Sequence, residues 1–218
     1  MFTLLSHSLL SLLIAQDLPA QDLPAQAPPA PPAQDLPATR LDWAWLAGST
    51  WIVPPADLPA MQMDPKDDAV RWVVDQTVWR FQGVRTGYVW GYGVAMLRPP
   101  NPENPGPAEA ETQQCLTILG TVTPDGAVHL TFVPTVARRS SLATIGVGRI
   151  WTQIAPGQPT PKPTFEMQMS TGDRDRTAHW AHMIQVTEAD AMWSALPGFP
   201  VGVEEALAGC RAVEGPER

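Results

Sequence analysis

The chain has 218 residues, with 22 Asp and Glu against 14 Lys and Arg, for a formal net charge of −8. That balance, with no basic block anywhere, excludes a phosphate-binding surface, so nucleic acid and anionic membranes are not expected partners. Nine tryptophans and 44% apolar residues can build one sizeable core, whereas 25 prolines exceed what one compact fold holds and imply linker.

The apolar run Leu9-Leu10-Ser11-Leu12-Leu13-Ile14-Ala15 is too short to span a bilayer but has the length of an export signal's apolar region, although no Lys or Arg precedes it. Residues 1–15 are read as a possible signal peptide, which makes the protein secreted or periplasmic, with no transmembrane segment. Gln16-Asp17-Leu18-Pro19-Ala20 repeats at once as residues 21–25 and again as residues 34–38, with Ala-Pro tracts between. A five-residue repeat so rich in Pro behaves as an extended spacer, and residues 16–40 are assigned to a disordered linker. The folded domain is expected over 41–212, with 213–218 as a tail.

Trp43 to Leu46 predicts one helical turn ended by Gly48, leading into a strand over 49–53. The stretch 54–69 contains Pro54, Pro55, Pro59 and Pro65 and reads as a long, lid-like loop. Strands follow over 71–81 and 87–97, turning at Gln82-Gly83, then a second Pro-rich loop over 98–111. The Pro124-Asp125-Gly126 turn joins strands 114–123 and 127–134 into a hairpin. Further strands cover 143–154, 164–170 and 177–187. Thr187-Glu188-Ala189-Asp190 resembles a helix cap and predicts a short helix to about Leu196, stopped by Pro197-Gly198, with a second helical turn over 203–208.

The period-2 alternation of aromatic and β-branched residues makes the fold all-β, and about eight strands in series suggest a closed, eight-stranded antiparallel up-and-down barrel with a short C-terminal helix. This order resembles the calycin superfamily, above all the lipocalins, over about residues 43–212. The resemblance rests on Gly48-Ser49-Thr50-Trp51 opening the first strand, the long first loop, the helix after the last strand, and the placement of Cys115 and Cys210. Many lipocalins tie their tail to the barrel with one disulfide. In an exported chain these two cysteines, the only ones, would pair; in a cytosolic chain they would be separate buried thiols.

A barrel of this size either fills itself with side chains or holds one small ligand. The candidate ligand wall is Trp79, Tyr88, Trp90, Tyr92, Met167, Trp180 and His182, since aromatic rings with polar tips hold a flat apolar molecule and read its polar groups. His182 stands out on the apolar alternation with Trp180 and Ile184; His179 falls on the opposite side of that strand, so the two cannot share a metal. Asp75, Arg80, Glu166 and His182 are the ionisable residues an enzyme would use, although Arg80 and Glu166 alternate toward solvent, as does His129. No nucleophile elbow, phosphate loop, dinucleotide fingerprint or metal-ligand spacing is present, so neither a catalytic residue nor a cofactor is assigned. The expected function is binding of a small hydrophobic or aromatic molecule in the barrel. The alternatives are a barrel enzyme of isomerase, cyclase or decarboxylase type, or a filled barrel serving as an interaction module.

Overall fold

A computed structural model describes residues 43–63, 67–100, 112–135, 143–153, 162–171 and 177–210. The expected signal peptide, linker and tail at 213–218 lie outside them. The barrel belongs to the unit Ala38–Arg218. After a 3-10 turn at Ala44–Leu46 come β1 (Thr50–Ile52), β2 (Pro59–Met63), β3 (Val70–Arg85), β4 (Tyr88–Arg98), β5 (Thr112–Val122), β6 (Ala127–Pro134), β7 (Thr144–Gln153), β8 (Lys162–Thr171) and β9 (Thr177–Val186). Two short helices, α1 (Ala191–Ser194) and α2 (Val203–Leu207), follow.

From β3 onward each strand pairs antiparallel with the next, and β9 returns to β3 through β1 and β2, which both lie between them. β1 and β2 are thus two halves of one stave, and the nine strands make a closed eight-stranded antiparallel barrel. Closure leaves the sheet no unpaired edge.

Two expectations about the strands need correction. The stretch 54–69 is not one long loop: after a 3-10 turn at Pro55–Asp57 the chain rejoins the sheet as β2. Pro54 and Pro55 lack the N–H groups that the ladder needs, so the stave breaks there and bulges. On either side, Val53 N donates to Thr77 O (3.2 Å) and Asp75 N to Leu58 O (2.8 Å), so β3 holds both ends of the break. The β3–β4 turn is at Thr86-Gly87 rather than Gln82-Gly83. Both residues have positive φ, 48° and 84°, as a two-residue hairpin turn demands. Gly83 instead lies at a register shift within β3, under the ring of Trp90.

The middle of the barrel is solid. Phe165 sits at its centre, with ring centroids 4.4 Å from Trp51, 5.8 Å from Trp79 and 5.9 Å from Phe81, while Trp79 stacks on Phe132 at 5.2 Å. Trp51, Trp79, Phe81, Phe165, Ile118, Leu130, Met167 and Met183 have no accessible surface, so no water-sized void touches them. Bulk on one strand is matched by its absence on a neighbour. A Cβ on Gly146 would come within 2.6 Å of Met167 Cε and 2.9 Å of Phe132 Cε2. Trp43 closes the lower end, its Nε1 donating to Thr123 O at 3.0 Å.

A second apolar layer lies outside the barrel, where Leu196, Phe199, Val203 and Leu207 cover Ile52, Val78, Val94, Met96 and Val186. Arg80 fastens this layer: it donates to Thr50 Oγ1 (2.9 Å) and Glu204 Oε1 (2.6 Å) and lies 5.5 Å from the Trp193 ring centre. Cys115 and Cys210 are joined by a disulfide across 95 residues of chain. α1 is shorter than expected and begins later, because the Asp190 carboxylate takes both the N–H and the hydroxyl of Thr187 and Asp190 becomes the cap.

Candidate functional site

The inner row of β3 carries Asp75, Thr77 and Trp79 at successive inward positions; that of β9 carries His179, Ala181 and Met183. At the upper end of the barrel, above the aromatic core, these rows bring Asp75 to His179. His179 Nδ1 lies 3.0 Å from Asp75 Oδ2, and Thr77 Oγ1 donates to Asp75 Oδ1 at 2.8 Å. His179 Nε2 lies 2.6 Å from the backbone carbonyl of Asp57. A carbonyl only accepts, so Nε2 carries a proton, and the contact with Asp75 holds a second one between ring and carboxylate. The side chain of His179 is 1% exposed and that of Asp75 8%. Burial pulls the imidazole pKa down, but the hydrogen bond and charge of Asp75, helped by Asp57, outweigh it and hold His179 above the ordinary value.

Asp57 lies in the break of the first stave and works on both faces of β9. Its carbonyl meets His179 inside, and its carboxylate Oδ2 accepts from the backbone N of His182 (2.7 Å) and from His182 Nδ1 (2.9 Å) outside. One residue thereby clasps the bulge to the last strand. Around the pair the walls are mostly apolar, with Gln114 on the inner row of β5 beside Ala95: Val73, Leu116 and Met169 keep 6–8% of their surface accessible, and Ala95, Leu97 and Gln114 more. Below them, Trp79 Nε1 is buried and has no hydrogen-bond partner among the described residues.

Of the seven candidate wall residues, Trp79 and Met167 point into the barrel. Tyr88, Trp90, Tyr92, Trp180 and His182 stand on its outer face, Tyr88 63% and Trp180 49% exposed. The reason is steric. The inner row of β4 is Val89, Gly91, Gly93 and Ala95, small because the rings of β3 and β8 occupy the space; a Cβ on Gly93 would come within 3.0 Å of Trp79 Cβ. The same logic puts Ala181 inside and Trp180 outside. Arg80 and Glu166 are on the outer face too, and His129 is exposed. Asp57, Thr77 and His179 were the residues sequence reading passed over. The available signal was complementarity of size: where β3 and β8 fill the interior with rings, the small half of β4's alternation faces inward, and on β9 Ala181 opposite Met167 puts His179 in and His182 out.

Chemically the Asp75–His179 pair is a closed relay, since each of its polar atoms has a protein partner. No cluster of three or more His, Cys, Asp or Glu that could hold a metal occurs among the described residues, and none of their helices is long and apolar enough to cross a membrane. Comparison with protein-family models, curated proteins and solved structures finds no match to this chain.

Proposed function

We propose that the barrel carries a small, uncharged apolar or aromatic molecule, seated between its solid middle and its upper rim. The observation that carries this reading is the contrast along the interior. Side chains at mid-height have no accessible surface, while Val73, Leu116, Met169, Ala95 and Leu97 retain some around the buried Asp75–His179 pair. Apolar walls with few polar groups are the usual composition of a small-molecule site. The eight-stranded barrel, its leading 3-10 turn and its tail disulfide support a lipocalin-like affiliation, and the disulfide supports an oxidising compartment outside the cytosol.

A second reading, the filled barrel serving as an interaction module, draws on the solid middle itself. The enzyme reading needs an inward ionisable group with a free valence, and Asp75 and His179 have theirs engaged. Native mass spectrometry of the purified protein, then extraction and identification of what it holds, tests the proposal. One apolar molecule per chain is the expected result. An empty protein whose tryptophan fluorescence ignores a panel of aromatic and fatty compounds would overturn it in favour of the filled module.

A further inference from the structure

We infer that the break in the first stave is a pH-operated clasp: when His179 gives up a proton its ring lets go of the Asp57 carbonyl, and residues 54–58 loosen from the inside of the barrel's upper end. This device belongs to the fold and operates whether or not a ligand is bound, although it lies at the end where the carrier reading seats one. It stands on a contrast between two histidines that hold the same residue. His179 has an acceptor at each ring nitrogen, the Asp75 carboxylate 3.0 Å from Nδ1 and the Asp57 carbonyl 2.6 Å from Nε2. Only the imidazolium can donate to both; a neutral ring has one N–H and turns a bare lone pair on the other acceptor. His182 meets one acceptor among the described residues, Asp57 Oδ2 at 2.9 Å from Nδ1, and a neutral ring with its proton on Nδ1 keeps that bond. Loss of a proton therefore breaks the inner hold on Asp57 and spares the outer one.

The bond that yields is the one to Asp57. A hydrogen bond to an ionised carboxylate is the stronger of the two, so the remaining proton stays on Nδ1 and the bare Nε2 faces a carbonyl. That carbonyl belongs to a stretch with few other ties. Pro54 and Pro55 have no N–H, and the sheet grips the chain only at its two ends, where Val53 N meets Thr77 O and Leu58 O meets Asp75 N. No further charge settles the ring. Among the described residues, β3 brings Asp75 and the 3-10 turn brings Asp57, whereas β2 and the inner rows of β4, β5 and β8 bring none. Arg71, the next charge up the inner row of β3, is exposed and paired with Asp67, and Glu166 lies opposite His182 on the outer face. Burial opposes the charge on the ring, but the hydrogen bond and charge of Asp75 outweigh it, so release falls above the ordinary value of about 6.5.

The test is nuclear magnetic resonance on the ligand-free full chain, from about pH 5 to about pH 10. It follows the ring-nitrogen shifts of His179 and the amide protection of Asp57 and Leu58, each exchange rate being divided by its intrinsic rate at that pH. As the ring titrates, Nδ1 should keep its proton and Nε2 lose its own, and protection at Asp57 and Leu58 should fall about tenfold in step. The amide of His182, bonded to Asp57 Oδ2, should stay protected. Asp75→Asn turns an amide donor toward Nδ1, so the neutral ring keeps its proton on Nε2 and the fall should vanish. His182→Ala removes an outer bond only, and the fall should remain. A proton kept on Nε2 in the native chain, level protection through the titration, or a ring still doubly protonated at the upper limit would each overturn the inference. A fall that survives in Asp75→Asn, or disappears in His182→Ala, would overturn it as well. Should Asp75→Asn fail to fold, the native chain decides by itself, since its ring shifts and its protection are read together.

Discussion

At the residue scale, the Asp75–His179 pair is a costly arrangement, since both groups leave water. Its geometry determines how stability should follow pH. The folded pKa of His179 is raised, so the folded state binds the proton more tightly than the unfolded chain does. The stabilisation is complete below the unfolded value of about 6.5 and is lost as pH rises through the raised folded value. Asp75→Asn removes the counter-charge and leaves a buried imidazole that protonates only at a penalty. Breaking such a pair costs about 3–5 kcal/mol. The difference in urea midpoint between native and Asp75→Asn protein should therefore be largest near pH 5.5 and shrink toward pH 9. Parallel curves across that range would show that the pair carries no ionic component.

At the scale of elements, the outer layer formed by α1, α2 and their connection is held by four separate devices. They are the Arg80 contacts, the Gln76 side chain, which accepts from Gly198 N and donates to Val53 O, Arg98, which donates to Gly198 O and lies over the Phe199 ring, and the disulfide. In the chain-entropy model, a loop of this length makes the disulfide worth roughly 4–5 kcal/mol. Replacing both cysteines, Cys115→Ala with Cys210→Ala, should lower the urea midpoint by that order while the barrel persists. The amides of Val203–Leu207 should exchange faster, and those of β5 to β8 should stay among the slowest. Unchanged protection in α2 would assign its anchoring to the side-chain contacts of Arg80, Gln76 and Arg98 rather than to the disulfide. Element scale is also where the sequence was most legible. Alternation over 127–134 and the Asp125-Gly126 turn located β5 and β6 to within about two residues. The break in the first stave was not legible, because a Pro-Pro interruption looks alike whether the chain leaves a sheet or rejoins it five residues later. Nor was the facing of β4 and β9: alternation gives two faces, and which one is inner depends on how rings from other strands fill the barrel. His179 was hidden by that ambiguity, and Asp57 because its partners lie 122 and 125 residues away.

For the whole molecule, the distribution of bulk decides what the barrel can hold. Phe165 touches the rings that fill the middle, and its Cβ direction is fixed by strands on both sides, β7 at Ile150 and β9 at Met183. A closed sheet cannot collapse freely onto a deleted ring, so Phe165→Ala should leave most of the vacated volume open. The cost expected for such a substitution is about 3–5 kcal/mol. The lining of that volume, Trp51, Trp79, Phe81 and their neighbours, is apolar, so the cavity should stay dry and accept benzene. Benzene at ten times its dissociation constant would return about 1.4 kcal/mol by mass action. For a domain of this size that is a rise of about 3–5 °C in melting temperature, with no rise in the native protein. A similar rise in the native protein would mean that the middle already opens to ligands, which would extend the proposed site to the barrel's full depth. No rise in either would mean that the neighbouring rings close over the vacancy, making the core more plastic than its packing implies.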